Sequence, residues 1–329
     1  MGATAFAIRP IGGSTRWQDE RMEDHLQRQS WFGIKRYVKR FLGLGIPNAV
    51  LRAAATYVPS LRSGRWPAPA KLREVTGRVG AATFVMLDPS RCENAKELFW
   101  GGGRRPSAHD RLALDAVAVL AKDADVFLDV GAYTGMFTLA VTAFDERVEA
   151  HAFEIVPGVV RALEANVRRN GVEDRVTVHR EGIGPPETTV RMPSGEGGSA
   201  LPSFYSTTMR FDDGVEIPLR SLDSVAELIA PDARVVMKVD VEGTENAIFA
   251  SGQAFLTSFR PDILCEVLVG RADAVALDDL LAPAELLRYL VTDARLVPRD
   301  RIEPDPRYRD WLFTRRTPDQ LRTLGLPVG

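Results

Sequence analysis

The sequence predicts an α/β protein built on a doubly wound, mostly parallel sheet, preceded by a basic helical N-terminal extension. Three observations carry this. From about Thr83 onward, short apolar runs alternate with helix-like stretches, the pattern of parallel strands joined by crossovers. Two of these runs, around Val126–Val130 and Val235–Val239, lead into an acid and a glycine, as strands do where ligands bind. Between His25 and Arg73 there are ten Lys and Arg and no Asp or Glu, in a chain whose formal net charge is only −2.

The 329 residues are 45% apolar and 26% charged, which excludes collagen, coiled-coil and wholly disordered classes. Cys92 and Cys265 are the only cysteines, too few for a disulfide scaffold or a zinc ribbon. His25, His109, His151 and His179 lack ligand spacing. No run of about 18 apolar residues suggests a membrane span. The N-terminus lacks an apolar signal core with a cleavage site, so a cytoplasmic location is expected, peripheral at a membrane if the basic arm docks there.

In that arm Trp31, Ile34, Val38 and Phe41 recur at helical spacing beside Lys35, Arg36, Lys39 and Arg40. Such a helix packs on its own body, or docks through residues 28–73 on an acidic carrier protein or an anionic membrane surface. Pro59, Gly64, Pro67 and Pro69 read as a link. The division is therefore 1–80 as extension and 81–329 as the main domain. Within the latter, Val126–Val130, Val148–Phe153, Val176–His179, Val235–Val239 and Ile263–Val267 read as buried strands. Thr138–Phe144, Gly158–Asn170, Leu222–Ile229, Glu245–Ala250 and Asp278–Leu290 read as helices, with Gly171 as a stop signal. Val215–Leu219 is β-like, and Leu296–Pro298 and Trp311–Thr314 read as the last strands. Residues 185–214, rich in Gly and Pro, break the rhythm and read as an inserted loop or hairpin beside the site.

The chemistry gathers at strand ends. After Val126, the run Phe-Leu-Asp-Val-Gly-Ala-Tyr-Thr-Gly places Asp129 at a strand end and frames the following turn with Gly131 and Gly135. The spacing is Gly-x-x-x-Gly, not the Gly-x-Gly-x-x-Gly of a dinucleotide site. A ligand without phosphate but with an ammonium and a carboxylate, such as S-adenosylmethionine, suits it better. Asp129 is a candidate for the ammonium, directly or through water, and amides near Gly131, including Ala132 and Tyr133, for the carboxylate. Glu154 ends the next strand about 20 residues on, where an acid takes ribose hydroxyls, and Ile155 is placed to lie against adenine. Gly182 and Ile183 follow the third strand and border the same ring. Farther on, Met237-Lys-Val-Asp-Val-Glu-Gly-Thr-Glu245 crowds Lys238, Asp240, Glu242 and Glu245 at one strand end. Alternation puts Asp240 and Glu242 on one side. They suit a general base or acid, an oxygen-ligand cation site, or the orientation of an acceptor. A divalent metal is compatible with them but not predicted.

Taken together, the motifs at 127–135, 152–154 and 238–245, with the spacing of Arg260-Pro-Asp-Ile-Leu-Cys-Glu266, resemble the FkbM family of S-adenosylmethionine-dependent methyltransferases. The resemblance spans roughly residues 90–315. It implies a class I methyltransferase fold, Rossmann-like and seven-stranded with the last strand antiparallel. It further implies methyl transfer, most often to a hydroxyl of a natural product, a sugar or a glycan. By carry-over Asp129, Gly131, Gly135 and Glu154 bind the cofactor, and Asp240 and Glu242 lie next to the methyl donor. Tyr133 stands where the family commonly has Asn.

Other features carry weaker chemistry. Trp100-Gly-Gly-Gly-Arg-Arg105 suggests an anion loop or substrate-side lid but lacks the lysine and hydroxyl of a P-loop. His109 follows it and is placed to enter the cleft, whereas His151, His179 and Cys265 suit packing. The rivals to a methyltransferase are a nicotinamide oxidoreductase, disfavoured by the glycine spacing, and a non-catalytic module acting through the basic arm. Nucleic acid is not expected as a partner, since the body is acidic and the arm has few interleaved aromatics.

Overall fold

The structure, a computed structural model, describes residues 66–193, 214–241 and 243–329. The basic helix expected over Trp31–Phe41, the link at Pro59 and Gly64, the middle of the 185–214 insertion and the candidate Glu242 lie outside the described residues. The first elements are two strands, β1 (Glu74–Val79) and β2 (Ala82–Leu87), paired antiparallel. No periodicity announces them, and the division expected at residue 80 falls in their turn, where Gly80 has φ 55°. Two helices follow. α1 (Glu93–Trp100) is capped by the Cys92 thiol, which accepts from Ala95 N, and α2 (Ala108–Ala121) by the Ser107 hydroxyl.

The expected alternation then begins with β3 (Val126–Val130), α3 (Met136–Phe144), β4 (Glu149–Phe153), α4 (Pro157–Asn170) and β5 (Val176–His179). Pro157 opens α4, where its missing N–H costs nothing, and Gly171 closes it at φ 65°. Three short strands, β6 (Gly182–Ile183), β7 (Thr189–Pro193) and β8 (Gly214–Arg220), form a separate sheet in the order β6-β8-β7. The insertion is thus a hairpin at its base, β7 antiparallel to β8. Next come α5 (Leu222–Val225), β9 (Val235–Val239), α6 (Glu245–Ala250), α7 (Gln253–Phe259), β10 (Asp262–Glu266) and α8 (Ala274–Leu281). Here the structure corrects the periodicity. The helix drawn to Leu290 stops at Leu281, because Pro283 lacks an N–H and Glu285 turns left-handed at φ 56°. Residues Leu287–Val291 form β11 instead, followed by β12 (Leu296–Arg299), β13 (Asp310–Thr314) and α9 (Pro318–Thr323).

The large sheet runs β12-β11-β13-β10-β9-β3-β4-β5. The strands β10, β9, β3, β4 and β5 are parallel, and β13 is antiparallel to both β10 and β11. Seven strands thus make the expected sheet with its last strand reversed, and β12 adds an antiparallel edge. All five residues of β3 and of β9 are buried, as in strands covered on both faces. Phe127, Ala152, Val236 and Leu312 face a core with Leu163, Val167 and the β1–β2 hairpin. Leu128, Phe153, Met237 and Phe313 face the other, with Phe255, Leu256 and Leu277. Parallel strands place Asp129, Glu154 and Glu266 near one edge of the sheet, and Asp240 directly follows β9 there. Because β13 runs the other way, its start, with Arg309 and Asp310, arrives at the same edge.

Candidate active site

A cleft of about 610 Å³ opens along this edge. Its floor is the turn from β3 to α3. Gly131 sits at φ 76°, and a Cβ there would fall 2.0 Å from the Asp240 carbonyl oxygen, so only glycine lets the ends of β3 and β9 approach. Gly135, at φ 87°, is the N-cap of α3, and its Cβ would fall 2.5 Å from Leu163. Tyr133 is also left-handed, at φ 52°, a conformation that asparagine adopts more readily. Tyr133 lines the cleft, and burial pushes its phenol pKa up.

The amides of this turn are already committed. Gly131 N and Ala132 N donate to Phe153 O at 3.1 and 3.0 Å, and Tyr133 N donates to Glu154 Oε2 at 2.8 Å. They fasten the turn to β4, so the carboxylate-binding role expected of them is not how the structure uses them. Glu154 is 7% exposed, and Oε1 accepts from Ile155 N and Val156 N, both at 2.8 Å. Burial raises its pKa to about 7 against the pull of these three amides. A carboxylate offers about four acceptor positions, so Oε2 keeps capacity facing the cleft. Ile155, Val156, Val159, Gly182 and Ile183 continue this side of the wall, with Val190 and Leu219 from the small sheet. A Cβ on Gly182 would fall 2.6 Å from Leu219 and 2.9 Å from Ile155, so the glycine admits both side chains. This half of the cleft is apolar apart from Glu154 and Thr189.

The other half is charged. Lys238 Nζ, 6% exposed, donates to Gly131 O at 2.7 Å and lies 3.4 Å from Asp240 Oδ2 and 3.7 Å from Asp129 Oδ1. Burial works to lower the Lys238 pKa, but Asp240 and Asp129 outweigh it and the net shift is upward. Burial likewise acts to raise the Asp240 carboxyl, but Lys238 more than offsets it, and Asp240 titrates below the ordinary carboxylate range. Glu266, at the end of β10, pairs with Arg309 at 2.9 Å. Beyond them Arg105 pairs with Glu97 at 3.2 Å and Asp110 at 3.5 Å. Burial, reinforced by Asp110, raises Asp310 to about 6. Glu93, Arg105, Asp240, Glu266, Arg271 and Arg309 all reach the cleft wall.

The structure therefore brings together Gly131, Ala132, Tyr133, Glu154, Ile155, Gly182, Ile183 and Asp240, with Gly135 directly behind them. Asp129 is placed differently. It is 1% exposed and absent from the cleft wall, and its Oδ2 accepts from Thr138 N at 3.1 Å and Thr138 Oγ1 at 2.6 Å. It anchors the start of α3 and the Lys238 ammonium. The glycine loop after α1 is not a lid: Gly103 O accepts from Arg78 N at 2.7 Å, and only Arg105 reaches the cleft. His109 stays outside, bonded to Ser107 at 2.9 Å and Asp293 at 3.0 Å. His151 and His179 stack on each other on β4 and β5. Among the described residues no group of three or more His, Cys, Asp or Glu is arranged to hold a metal ion. Sequence reasoning missed Glu266 and Arg309, and named neither Val190 nor Leu219 although it placed the insertion beside the site. Glu266 carries the signal that marked Asp129 and Glu154, an acid ending a buried run; Arg309 carries none.

The strand order is that of a class I methyltransferase fold. Residues 129–291 match the family model described as the methyltransferase FkbM domain, so the chain carries a domain of that family. Three solved structures are similar at low identity. Methyltransferase FkbM from Methylobacillus flagellatus KT is 17% identical over 63% of this chain and 58% of that one, TM-score 0.38. This chain thus spans somewhat more than half of that relative. An O-methyltransferase from Bacillus cereus in complex with SAH is 13% identical over 62% and 78%, TM-score 0.35. Fibrillarin from Aeropyrum pernix with natively bound S-adenosyl-L-methionine is 13% identical over 61% and 75%, TM-score 0.35. No curated protein matches.

Proposed function

We propose that this protein transfers a methyl group from S-adenosylmethionine to a hydroxyl of a sugar, glycan or other polyhydroxylated natural product. The observation that carries the reading is Glu154, held by three amides beside an apolar pocket, with acceptor capacity left toward the cleft. The donor fits the residues present: ribose hydroxyls at Glu154 and adenine among Ile155, Ile183 and Leu219. When bound, S-adenosylmethionine supplies a methyl already activated by its positive sulfur.

The chain's task is then to hold an acceptor oxygen in line and keep water out. The charged half suits an acceptor with several hydroxyls, which hydrogen-bond carboxylates and guanidinium groups alike. A hydroxyl must lose its proton as the new bond forms. With its lowered pKa Asp240 is a weak base and serves better as a standing acceptor. Glu266 is a further carboxylate on this wall. The basic stretch 28–73 adds an acidic carrier or an anionic lipid surface as the place where such an acceptor is presented.

The test is transfer of label from methyl-tritiated S-adenosylmethionine into cell extract separated into small molecules, lipids, glycans, protein and nucleic acid. Glu154→Ala protein is the blank. Label above the blank in the small-molecule or glycan fraction supports the reading. Label only in nucleic acid, or none in any fraction, overturns it.

A further inference from the structure

We propose that Glu266 is a positioning residue for Asp240: the two carboxyls share one proton, and the ammonium at the amino-acid end of the methyl donor takes that proton's place on binding. The inference rests on the reading that the cleft takes S-adenosylmethionine and adds a proton exchange to it. The O–H bond holding the shared proton breaks, its electron pair stays on the carboxylate, and the proton leaves to water. The ammonium arrives with three N–H donors, enough to bond both carboxylates. One positive charge departs as another enters, so the exchange is neutral.

The strand register sets the pair. β9 and β10 are parallel with Val239 opposite Cys265, so Asp240 and Glu266 come next, side by side. Both reach the cleft wall, and their side chains are hydrogen-bonded to each other. Two carboxylates have no donor between them unless one proton is shared. Lys238 on β9 lies 3.4 Å from Asp240, and Arg309 ahead of β13 lies 2.9 Å from Glu266. Arg271, after β10, reaches the same wall. Asp129 on β3, Glu245 on α6 and Asp310 on β13 complete the surroundings, each carboxyl raised by burial, with Asp110 on α2 acting on Asp310 and Arg309. A neutral exchange leaves all of these facing the same total charge. A cation arriving within about 4–6 Å favours the ionised carboxylate, which drives the proton off.

The place along the sheet edge also agrees. Glu154 ends β4, Gly131 follows β3, Asp240 follows β9 and Glu266 ends β10, in that order across the sheet. From β4 to β9 is two strand spacings, about 10 Å. A donor laid from its ribose hydroxyls at Glu154, through the sulfur, to its amino-acid end covers that length. Asp129, expected to meet the ammonium, is turned to Thr138 and absent from the wall. Glu93, on the wall from α1, is paired with Lys96 at 2.6 Å. Asp240, its side chain 41% exposed, is the carboxyl presented there, and Glu266, 8% exposed, stands one strand beyond.

The experiment is calorimetric titration of the full chain with S-adenosylhomocysteine and with methylthioadenosine, which keeps the adenosyl group and the sulfur but lacks the amino acid. Each titration is run at neutral pH in two buffers of different ionisation enthalpy, so that the heats count the protons released. Both ligands engage Glu154, and any release there cancels between them. S-adenosylhomocysteine should release more protons than methylthioadenosine, by up to about one, and its relative affinity should rise up to about tenfold per pH unit. Glu266→Gln keeps a side-chain donor toward Asp240 but has no proton to give up. The extra release and the relative pH slope should vanish in it, with methylthioadenosine bound as before. Asp240→Asn should lose the same release. Equal release for the two ligands in the wild type overturns the proposal. So does an extra release that persists in Glu266→Gln, the result a merely structural role would give. Should Glu266→Gln fail to fold, the wild-type and Asp240→Asn counts still decide. Failure of the wild type to bind either ligand removes the donor reading itself, and the exchange with it.

Discussion

The two halves of the cleft are built on different principles. The half at β4, β5 and the small sheet is mostly apolar, with one carboxylate held by two amides of its own turn and one from the turn after β3. The half at β9, β10 and β13 is a chain of charges of both signs: Asp129, Lys238 and Asp240, then Glu266 and Arg309, then Asp310, Arg105 and Asp110. The first is assembled from contacts near in sequence and the second from strands far apart in it. A subsite made locally tolerates changes elsewhere, whereas a ladder of charges with buried rungs at Asp129, Lys238 and Glu266 depends on those rungs.

The sharpest way to break this contrast is to remove a rung. Lys238→Met leaves Asp129 buried without its cation. It should lower stability by roughly 3–5 kcal/mol, the cost of stranding a buried charge, read by urea unfolding. Replacing Asp129 by Asn in the same protein should recover part of that loss, which it would not if Lys238 mattered only for packing. In the apolar half, Glu154→Ala should cost more in binding than in fold. Affinity for S-adenosylhomocysteine should fall about a hundredfold, the scale of two charge-assisted hydrogen bonds, measured by calorimetry. A smaller effect is expected from Leu219→Ala, which shortens the small-sheet wall. Adenosine and S-adenosylhomocysteine should both lose about tenfold.

The mildest change is pH. Burial raises Glu154 from 4.5 to about 7, so between these values the folded protein holds a proton that the unfolded chain has released. The contribution of Glu154 to stability therefore falls as pH rises through that window. Affinity for adenosine runs the opposite way, rising as the carboxylate forms near pH 7. Paired denaturation and titration series should show both slopes in the wild type and neither in Glu154→Gln.

The contrast also explains what was legible in the sequence. The strands β3, β4, β5, β9 and β10 stand out because buried parallel strands are compact apolar runs with a turn signal after each. Gly131 and Glu154 follow from spacing along one βαβ unit. The boundary between α8 and β11 does not stand out, since apolar residues continue across it and only Pro283 marks the break. Asp129 is legible as important but not in its role, because an acid at a strand end looks the same whether it faces a ligand or Thr138. Arg309 and Arg105 reach the cleft only through the reversed direction of β13 and the packing of α1 and α2. No spacing rule encodes that.

One arrangement far from the charges has its own consequence. Asn170 bonds both the amide and the carbonyl of Val85, and Asn166 accepts from Leu87 N while donating to Thr134 O, all within 2.7–2.8 Å. Two side chains of α4 thus stand in for a neighbouring strand along β2, and one of them also grips the turn beneath the cleft. Any pull on the stretch preceding β1 is passed through the hairpin to α4 and on to Thr134. Trimming the chain back to residue 81 would unseat β2 by removing its partner and slacken that grip. The β1–β2 hairpin therefore travels with the site.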